Sequence, residues 1–184
     1  MSTIHPFFSS LVRGTGAVLM GSLALHAGIA AASPFSGFSG APCNVPGMRA
    51  AILQQVNAVR ATGADCGGER FGAARTVGWN EQLFTAADVH SRDMAASNYF
   101  SHESLRGTRA YQRVEAQGYR WKSVAENIAA GDFTVRGVMD AWMQSDGHCR
   151  NIMDPGYTEI AVSCVSRPGT TYGDYWTMVL ARKL

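Results

Sequence analysis

The stretch Ile160-Ala161-Val162-Ser163-Cys164-Val165, followed beyond Gly173-Asp174 by Tyr175-Trp176-Thr177-Met178-Val179-Leu180, decides the fold class. In the first run Ile160, Val162 and Cys164 alternate with Ala161, Ser163 and Val165, the period of two that turns successive side chains to opposite faces of a strand. The second run is β-branched and aromatic, a composition suited to a pleated, packed surface. Both lie behind four segments of helical spacing. Helices first and strands late, without β-α-β alternation, predict an α+β chain in which helices cover an antiparallel sheet, rather than a doubly wound parallel one.

Working outward, Pro46 to Thr62 sets Met48, Ile52, Val56 and Val59 three and four apart, with Pro46 suited to a first turn and Gly63 to a stop. A loop with Cys66, Gly67 and Gly68 follows. Asn80 is then placed to cap a second helix, striped by Leu83, Ala87, His90 and Met94 and ending near Asn98. A third helix is expected from about Thr108 to Gln117. A fourth, from about Val135 to Ser145, carries Val135, Val138, Met139 and Trp142 on one side.

Composition narrows the classes. Apolar residues make up 46% and charged residues 16% of the 184, and the mean hydropathy is -0.07, values that exclude a multi-spanning membrane protein and a disordered chain. With 16 basic against 14 acidic side chains, there is no basic footprint for nucleic acid and no acidic tail. Residues 1–32 read as a secretory signal peptide: Arg13 precedes an uncharged run through Leu19, Leu23 and Leu25 to Ala30-Ala31-Ala32. Residues 33–45, uncharged and rich in Pro, Gly and Ser, read as a flexible lead-in, and residues 46–184 as one domain. The expectation is a secreted monomer, periplasmic or extracellular, with no transmembrane segment after processing.

All four cysteines, Cys43, Cys66, Cys149 and Cys164, fall in the expected mature part, where pairing is the first expectation. Their separations match no zinc or redox motif. Proximity in sequence predicts the pairs Cys43–Cys66 and Cys149–Cys164, one of three connectivities that four cysteines allow.

No G-x-S-x-G, Walker, G-x-G-x-x-G or H-E-x-x-H motif is present. His102-Glu103 begins like the last but has no second histidine one turn on. His5 and His26 leave with the signal peptide. His90 belongs to the apolar stripe of the second helix and is expected to be a packed, structural residue outside any site. His102, where the chain leaves that helix, and His148, after Gly147 and beside Cys149, are the candidates. Glu126, a carboxylate inside the apolar run Val124 to Gly131, needs partners wherever it is buried. Two histidines and a carboxylate can bind a divalent metal with an open position or together polarise a water.

At these residues the chain resembles the CAP superfamily, the cysteine-rich secretory, antigen 5 and pathogenesis-related class-one proteins, in its bacterial SCP-like branch. The resemblance runs from Met48 to Arg182. It rests on Val56-Asn57-Ala58-Val59-Arg60, Trp79-Asn80 with Leu83 and Ala86-Ala87, Met94 to His102, Ala125 to Ala129, Ala141-Trp142-Met143 with Ser145, Gly147-His148 and Asn151-Ile152-Met153, and Tyr175-Trp176-Thr177. It implies a three-layer α-β-α sandwich with a central antiparallel sheet and a surface cleft. In the family two histidines and two glutamates line that cleft. His102 and Glu126 match one of each, whereas Ser145 and Tyr175 stand at the positions of the other glutamate and histidine, and His148 is placed to fill the space.

The resemblance implies a cleft more firmly than a reaction. The reading is a secreted, non-enzymatic binding module whose cleft, lined by His102, Glu126, His148, Ser145 and Tyr175, takes a small apolar ligand such as a lipid or sterol, a peptide or protein, or a divalent metal. No cofactor is required. Zn²⁺, held weakly by His102 and His148, is the candidate metal. A metal-assisted hydrolase using His102, Glu126 and His148, and a purely structural polar network, are the alternatives.

Overall fold

The computed structural model describes residues 40–184. The expected signal peptide, residues 1–32, and residues 33–39 of the expected lead-in lie outside the described residues. In chain order the elements are β1 (Ala41–Pro42), α1 (Met48–Thr62), β2 (Ala64–Cys66), β3 (Glu69–Phe71), β4 (Gly78–Trp79), α2 (Glu81–Ser97), α3 (Ala110–Ala116), β5 (Trp121–Ala130), α4 (Val135–Gln144), α5 (Asp146–Met153), β6 (Glu159–Ser166) and β7 (Asp174–Lys183).

The central sheet has the order β1-β6-β7-β5, with β4 added to β6. All its pairings are antiparallel except the short β4–β6 contact, which is parallel. Alternation along the strands builds two cores. Ile160, Val162 and Cys164 of β6 and Trp176, Met178 and Leu180 of β7 pack with Ile52 and Val56 of α1, Trp142 of α4 and Ile152 of α5. The residues between them, Ala161, Val179 and Ala181, turn to the other face and meet Leu83, Ala86 and Ala87 of α2 and Val114 of α3. The result is the three-layer α+β sandwich expected from the sequence, with β5 as an edge strand.

Local chemistry explains the helix ends. The Asn80 side chain accepts from the Gln82 and Leu83 amides at the start of α2, and Asn98 closes that helix in the left-handed region at φ 50°, which Asn tolerates better than most residues. The fourth helix ends where expected: Ser145 is extended (φ −92°, ψ 119°), and the chain then forms a further helix, not expected from the sequence, at Asp146. His148 therefore lies in the first turn of α5, not at the end of α4.

The disulfide pairing expected from proximity is wrong. Cys43 is bonded to Cys164 and Cys66 to Cys149, across Cα separations of 5.4 and 5.5 Å. Cys43 extends β1, whose Ala41 and Pro42 pair with Ser166 and Val165 of β6, and its amide donates to the Cys164 carbonyl at 3.0 Å. Strand pairing thus brings together residues 121 apart in sequence. Cys66 ends β2, which turns into β3 through Gly67 and Gly68, both at positive φ (67° and 84°), the backbone that a tight hairpin requires. A Cβ on Gly67 would lie 2.2 Å from the Asp146 carboxyl carbon. The hairpin therefore sits directly against α5, and Cys149 is what it reaches.

Arg60 secures the other end of α5. It is fully buried and donates to the carbonyls of Arg75, Ile152, Asp154 and Tyr157 at 2.8, 2.7, 2.9 and 3.1 Å. Each of its three nitrogens meets at least one acceptor, a condition under which a guanidinium tolerates burial. Through the Cys66–Cys149 bridge and these bonds, α5 and its His148 are fixed against the sheet edge.

Candidate functional site

The site is built across the edge of β5. Glu126 and Asn127 are neighbours on this strand and so point to opposite layers. Glu126 turns toward α2 and α3. Its Oε1 is 2.9 Å from His102 Nδ1, and its Oε2 accepts from Arg113 Nη2 at 2.6 Å. His90 Nε2 lies 3.8 Å from the same Oε1. Asn127 turns toward α5, donating to the His148 carbonyl at 3.0 Å and accepting from Asn151 at 2.8 Å. The His102 and His148 rings meet beyond the strand edge, edge-on, with centroids 6.4 Å apart.

Each side chain is held by its own element. Arg113 of α3 is anchored by the Thr108 and His102 carbonyls at 2.8 and 3.1 Å, so one guanidinium joins α3, the loop carrying His102 and Glu126. The Glu126 and Arg113 side chains are 3% and 5% exposed and that of His102 is 57% exposed: the carboxylate is inside and the imidazole at the mouth. Because an ionised carboxylate only accepts, His102 Nδ1 carries the proton in this bond, and the Nε2 lone pair is left for an outside partner.

Electrostatics follow from burial and neighbours. Burial raises the Glu126 pKa, but the His102 hydrogen bond and the charges of Arg113 and His90 outweigh it and hold the carboxyl below its usual range. Burial lowers the His90 pKa, against the attraction of Glu126 and with the help of Arg113. Its Nε2 is 2.9 Å from the Ser101 carbonyl, which places the proton there. Burial, followed by the charge of His102, also lowers the His148 pKa.

His102, Glu126 and His148 come together at this edge. Two further candidates make no hydrogen bond, ion pair or ring contact with them among the described residues. Ser145 forms the junction of α4 and α5, its carbonyl accepting from the Cys149 amide at 2.8 Å. Tyr175 is fully buried on the α2 side, among Met94, Ala95, Ile128 and Val165, with its hydroxyl donating to Asn98 at 3.0 Å. Its parity on β7 turns it to the same α2 layer as Glu126, but it lies opposite Ala130, four residues further along β5, and is enclosed there. His90 also differs from its reading. It is packed as expected, 0% exposed, yet it touches Glu126 and so belongs to the network beneath the cleft. Arg113, Asn127 and Asn151 were not singled out from sequence. The signal for Arg113 was a cation next to Val114 on a helix, matched to a carboxylate that had to be neutralised.

A four-ligand metal centre does not fit these residues. Both Glu126 oxygens are engaged, and among the described residues the ligand atoms of His102, Glu126 and His148 do not all lie within 4.8 Å of one another. The one cluster that meets this distance, Cys43, Cys164 and Asp174, contains disulfide sulfurs and offers no thiolate. What remains is a pair of imidazoles, one of them oriented by a carboxylate.

A groove of about 480 Å³ opens beside His102, lined by His102, Glu103, Arg109, Ala110 and Tyr111 together with Val124, Ala125 and Glu126 of β5. Among the described residues no helix is long and apolar enough to cross a membrane.

A sequence model of the cysteine-rich secretory protein family (CAP) matches residues 53–180. An uncharacterized protein of Bacillus subtilis, YkwD, is 37% identical over 98 residues, 53% of this chain and 36% of the relative. An uncharacterized membrane protein of the same strain, YlbC, is 30% identical over 84 residues, 46% of this chain and 24% of the relative. The match thus spans little more than a third of the first relative and a quarter of the second. Among solved structures, an extracellular protein containing an SCP domain from Bacillus anthracis superposes with a TM-score of 0.61 at 25% identity, over 74% of this chain and 41% of that one. An outer surface protein of Borrelia burgdorferi superposes with a TM-score of 0.65 at 15% identity, over 79% and 99%, a likeness of fold alone.

Proposed function

This chain belongs to the cysteine-rich secretory protein family, and from that premise we propose that it is a secreted, non-enzymatic binding module whose ligand enters at the His102–His148 edge of the cleft. The observation that supports this reading best is the state of Glu126. With one oxygen bonded to His102 and the other to Arg113, and the carboxyl held below its usual range, it is spent as an orienting group. A general base needs a free oxygen within reach of a water and a pKa near the working pH. Neither feature belongs to this carboxylate, and no nucleophile motif stands near it. Export is supported by the signal-like residues 1–32 and by two disulfides, which persist in oxidising compartments.

The cleft offers one oriented imidazole at its mouth, a second imidazole opposite and an apolar groove beside them. Zn²⁺ held by two imidazoles alone is weakly bound, since tight sites use three or four protein ligands. The test is calorimetric titration of Zn²⁺ into the protein beside a peptidase and esterase screen, with Glu126→Gln in parallel. Weak binding and no turnover support the module. Metal-dependent turnover that Glu126→Gln abolishes in a folded protein would promote the hydrolase instead.

A further inference from the structure

We infer that the ligand of this cleft is an extended peptide that adds as a strand to the open edge of β5 at Val124–Glu126; the inference rests on the binding-module reading and names its ligand class. The strand β5 ends the order β1-β6-β7-β5, so one of its edges faces no strand. The register fixes which residues turn outward. Gly131 donates to the Asp174 carbonyl of β7 at 2.9 Å, and the two-residue alternation of an antiparallel pair then turns the backbone of Ala125, Asn127 and Ala129 to β7, and that of Val124, Glu126 and Ile128 away from it.

Side chains of α4 and α5 close part of this edge. Asn151 donates to the Glu126 carbonyl at 3.4 Å and Trp142 to the Ile128 carbonyl at 3.2 Å. At the other end the register shifts between Trp121 and Ser123, a bulge that ends regular pairing. Between these limits the Val124 N–H, the Val124 carbonyl and the Glu126 N–H are turned away from β7, and among the described residues no bond from outside the β5–β7 ladder reaches them. Proteins ordinarily blunt such an edge. Here it is left open over one short window, where the groove lies.

The open groups select the occupant. A donor and an acceptor on one residue, with a second donor two residues on, match the backbone of another strand. A lipid tail has nothing to offer them, and a metal ion meets the donors unfavourably. The groove can receive side chains: Ala110 and Tyr111 of α3 line it together with Val124 and Ala125, and Tyr111, 41% exposed, packs edge-on to Trp121 at 6.0 Å. A peptide residue on the Val124 side of the added strand meets Tyr111, so an apolar side chain is expected there. The chain's first described strand, β1, pairs with β6 at the opposite edge, which favours a separate partner.

The experiment passes a library of N-acetylated, C-amidated hexapeptides over the full chain, identifies retained peptides by mass spectrometry and titrates the best against wild type and Val124→Pro. Proline removes one outward N–H and no ladder bond, so it is tolerated at an edge; unchanged thermal melting and Zn²⁺ titration verify the variant. A loss of about tenfold is expected, the size of one good hydrogen bond. On wild-type protein, N-methylation of alternate peptide amides should abolish binding in one frame and spare it in the other, a readout that holds even where Val124→Pro fails to fold. Retention of no peptide overturns the inference while the Zn²⁺ titration still tests the module. A peptide indifferent to both N-methyl frames binds by side chains alone and overturns strand addition only. A concentration-dependent dimer dissolved by Val124→Pro assigns the edge to a second copy and also overturns it.

Discussion

Glu126 and Asn127 are joined by one peptide bond and serve opposite layers of the sandwich. Glu126 binds His102 and Arg113 on the α2–α3 side, whereas Asn127 holds the His148 carbonyl on the α5 side. The period of two along a strand is thereby used to bring two histidines, on helices and loops that never touch through the sheet, to a common edge.

The Glu126–Arg113 pair is buried, so its members depend on each other. Arg113→Met is expected to cost about 3–5 kcal/mol by leaving an uncompensated carboxylate, and Glu126→Leu a similar amount through the stranded guanidinium. The double variant Glu126→Leu with Arg113→Met should cost clearly less than either single change. Urea unfolding of the four proteins measures this, and additive losses would show that the two groups are not coupled.

Stability should fall on acidification in two stages. The folded pKa values of His90 and His148 lie below the ordinary value of 6.5, so the unfolded chain takes up protons first and stability drops as pH falls below about 6.5. Glu126, also lowered, contributes stability that is present above its unfolded value and is lost as pH falls through its folded one. The slope contributed by one such group is at most about 1.4 kcal/mol per pH unit. Denaturant midpoints measured from pH 8 to pH 3 should decline throughout this range. A flat profile from pH 7 to pH 5 would contradict the histidine part.

Loss of either disulfide should be felt strongly, because both close long loops, with sequence separations of 121 and 83. Chain entropy alone predicts about 4 to 5 kcal/mol for each. Paired Cys→Ser variants and non-reducing peptide mapping check this together. A Cys43–Cys66 peptide in the native protein would refute the structure's connectivity.

Zn²⁺ affinity should fall by about tenfold or more in His102→Ala and in His148→Ala. Glu126→Gln should also weaken it by about tenfold, since outer carboxylates that orient a ligating histidine carry effects of that size. Protons compete for imidazole, so binding should weaken on acidification, and since burial lowers the His148 pKa that ring loses the metal only below the ordinary histidine value of about 6.5. Equal affinity in all three variants would place the metal elsewhere.

The helices and late strands were legible because periodicity is a local property: the stripe of α2, the Asn80 cap and the alternation in β6 are all written within a few residues. Strand β5 was harder to see. Its run from Val124 to Ala130 places Glu126 and Asn127 amid apolar residues, a pattern that yields to burial and not to alternation. The end of the fourth helix near Ser145 was legible, whereas the short helix α5 that follows it was not read. Connectivity of the cysteines was not legible at all, and of the partners of Glu126 only the His102 ring was, since the rest are set by which elements lie side by side. Proximity along the chain misled for Cys43, just as the position of His90 on an apolar stripe concealed its contact with Glu126.

The two bridges are nested, first cysteine to last and second to third. In a chain oxidised as it emerges from its N-terminus, Cys43 and Cys66 are exposed long before Cys149 and Cys164, so any early bond joins the consecutive pair and has to be exchanged before the native pairs can form. Production of this protein should therefore depend on disulfide-isomerising capacity more than on oxidising power. A host rich in oxidant and poor in isomerase will accumulate a species locked by the wrong bond.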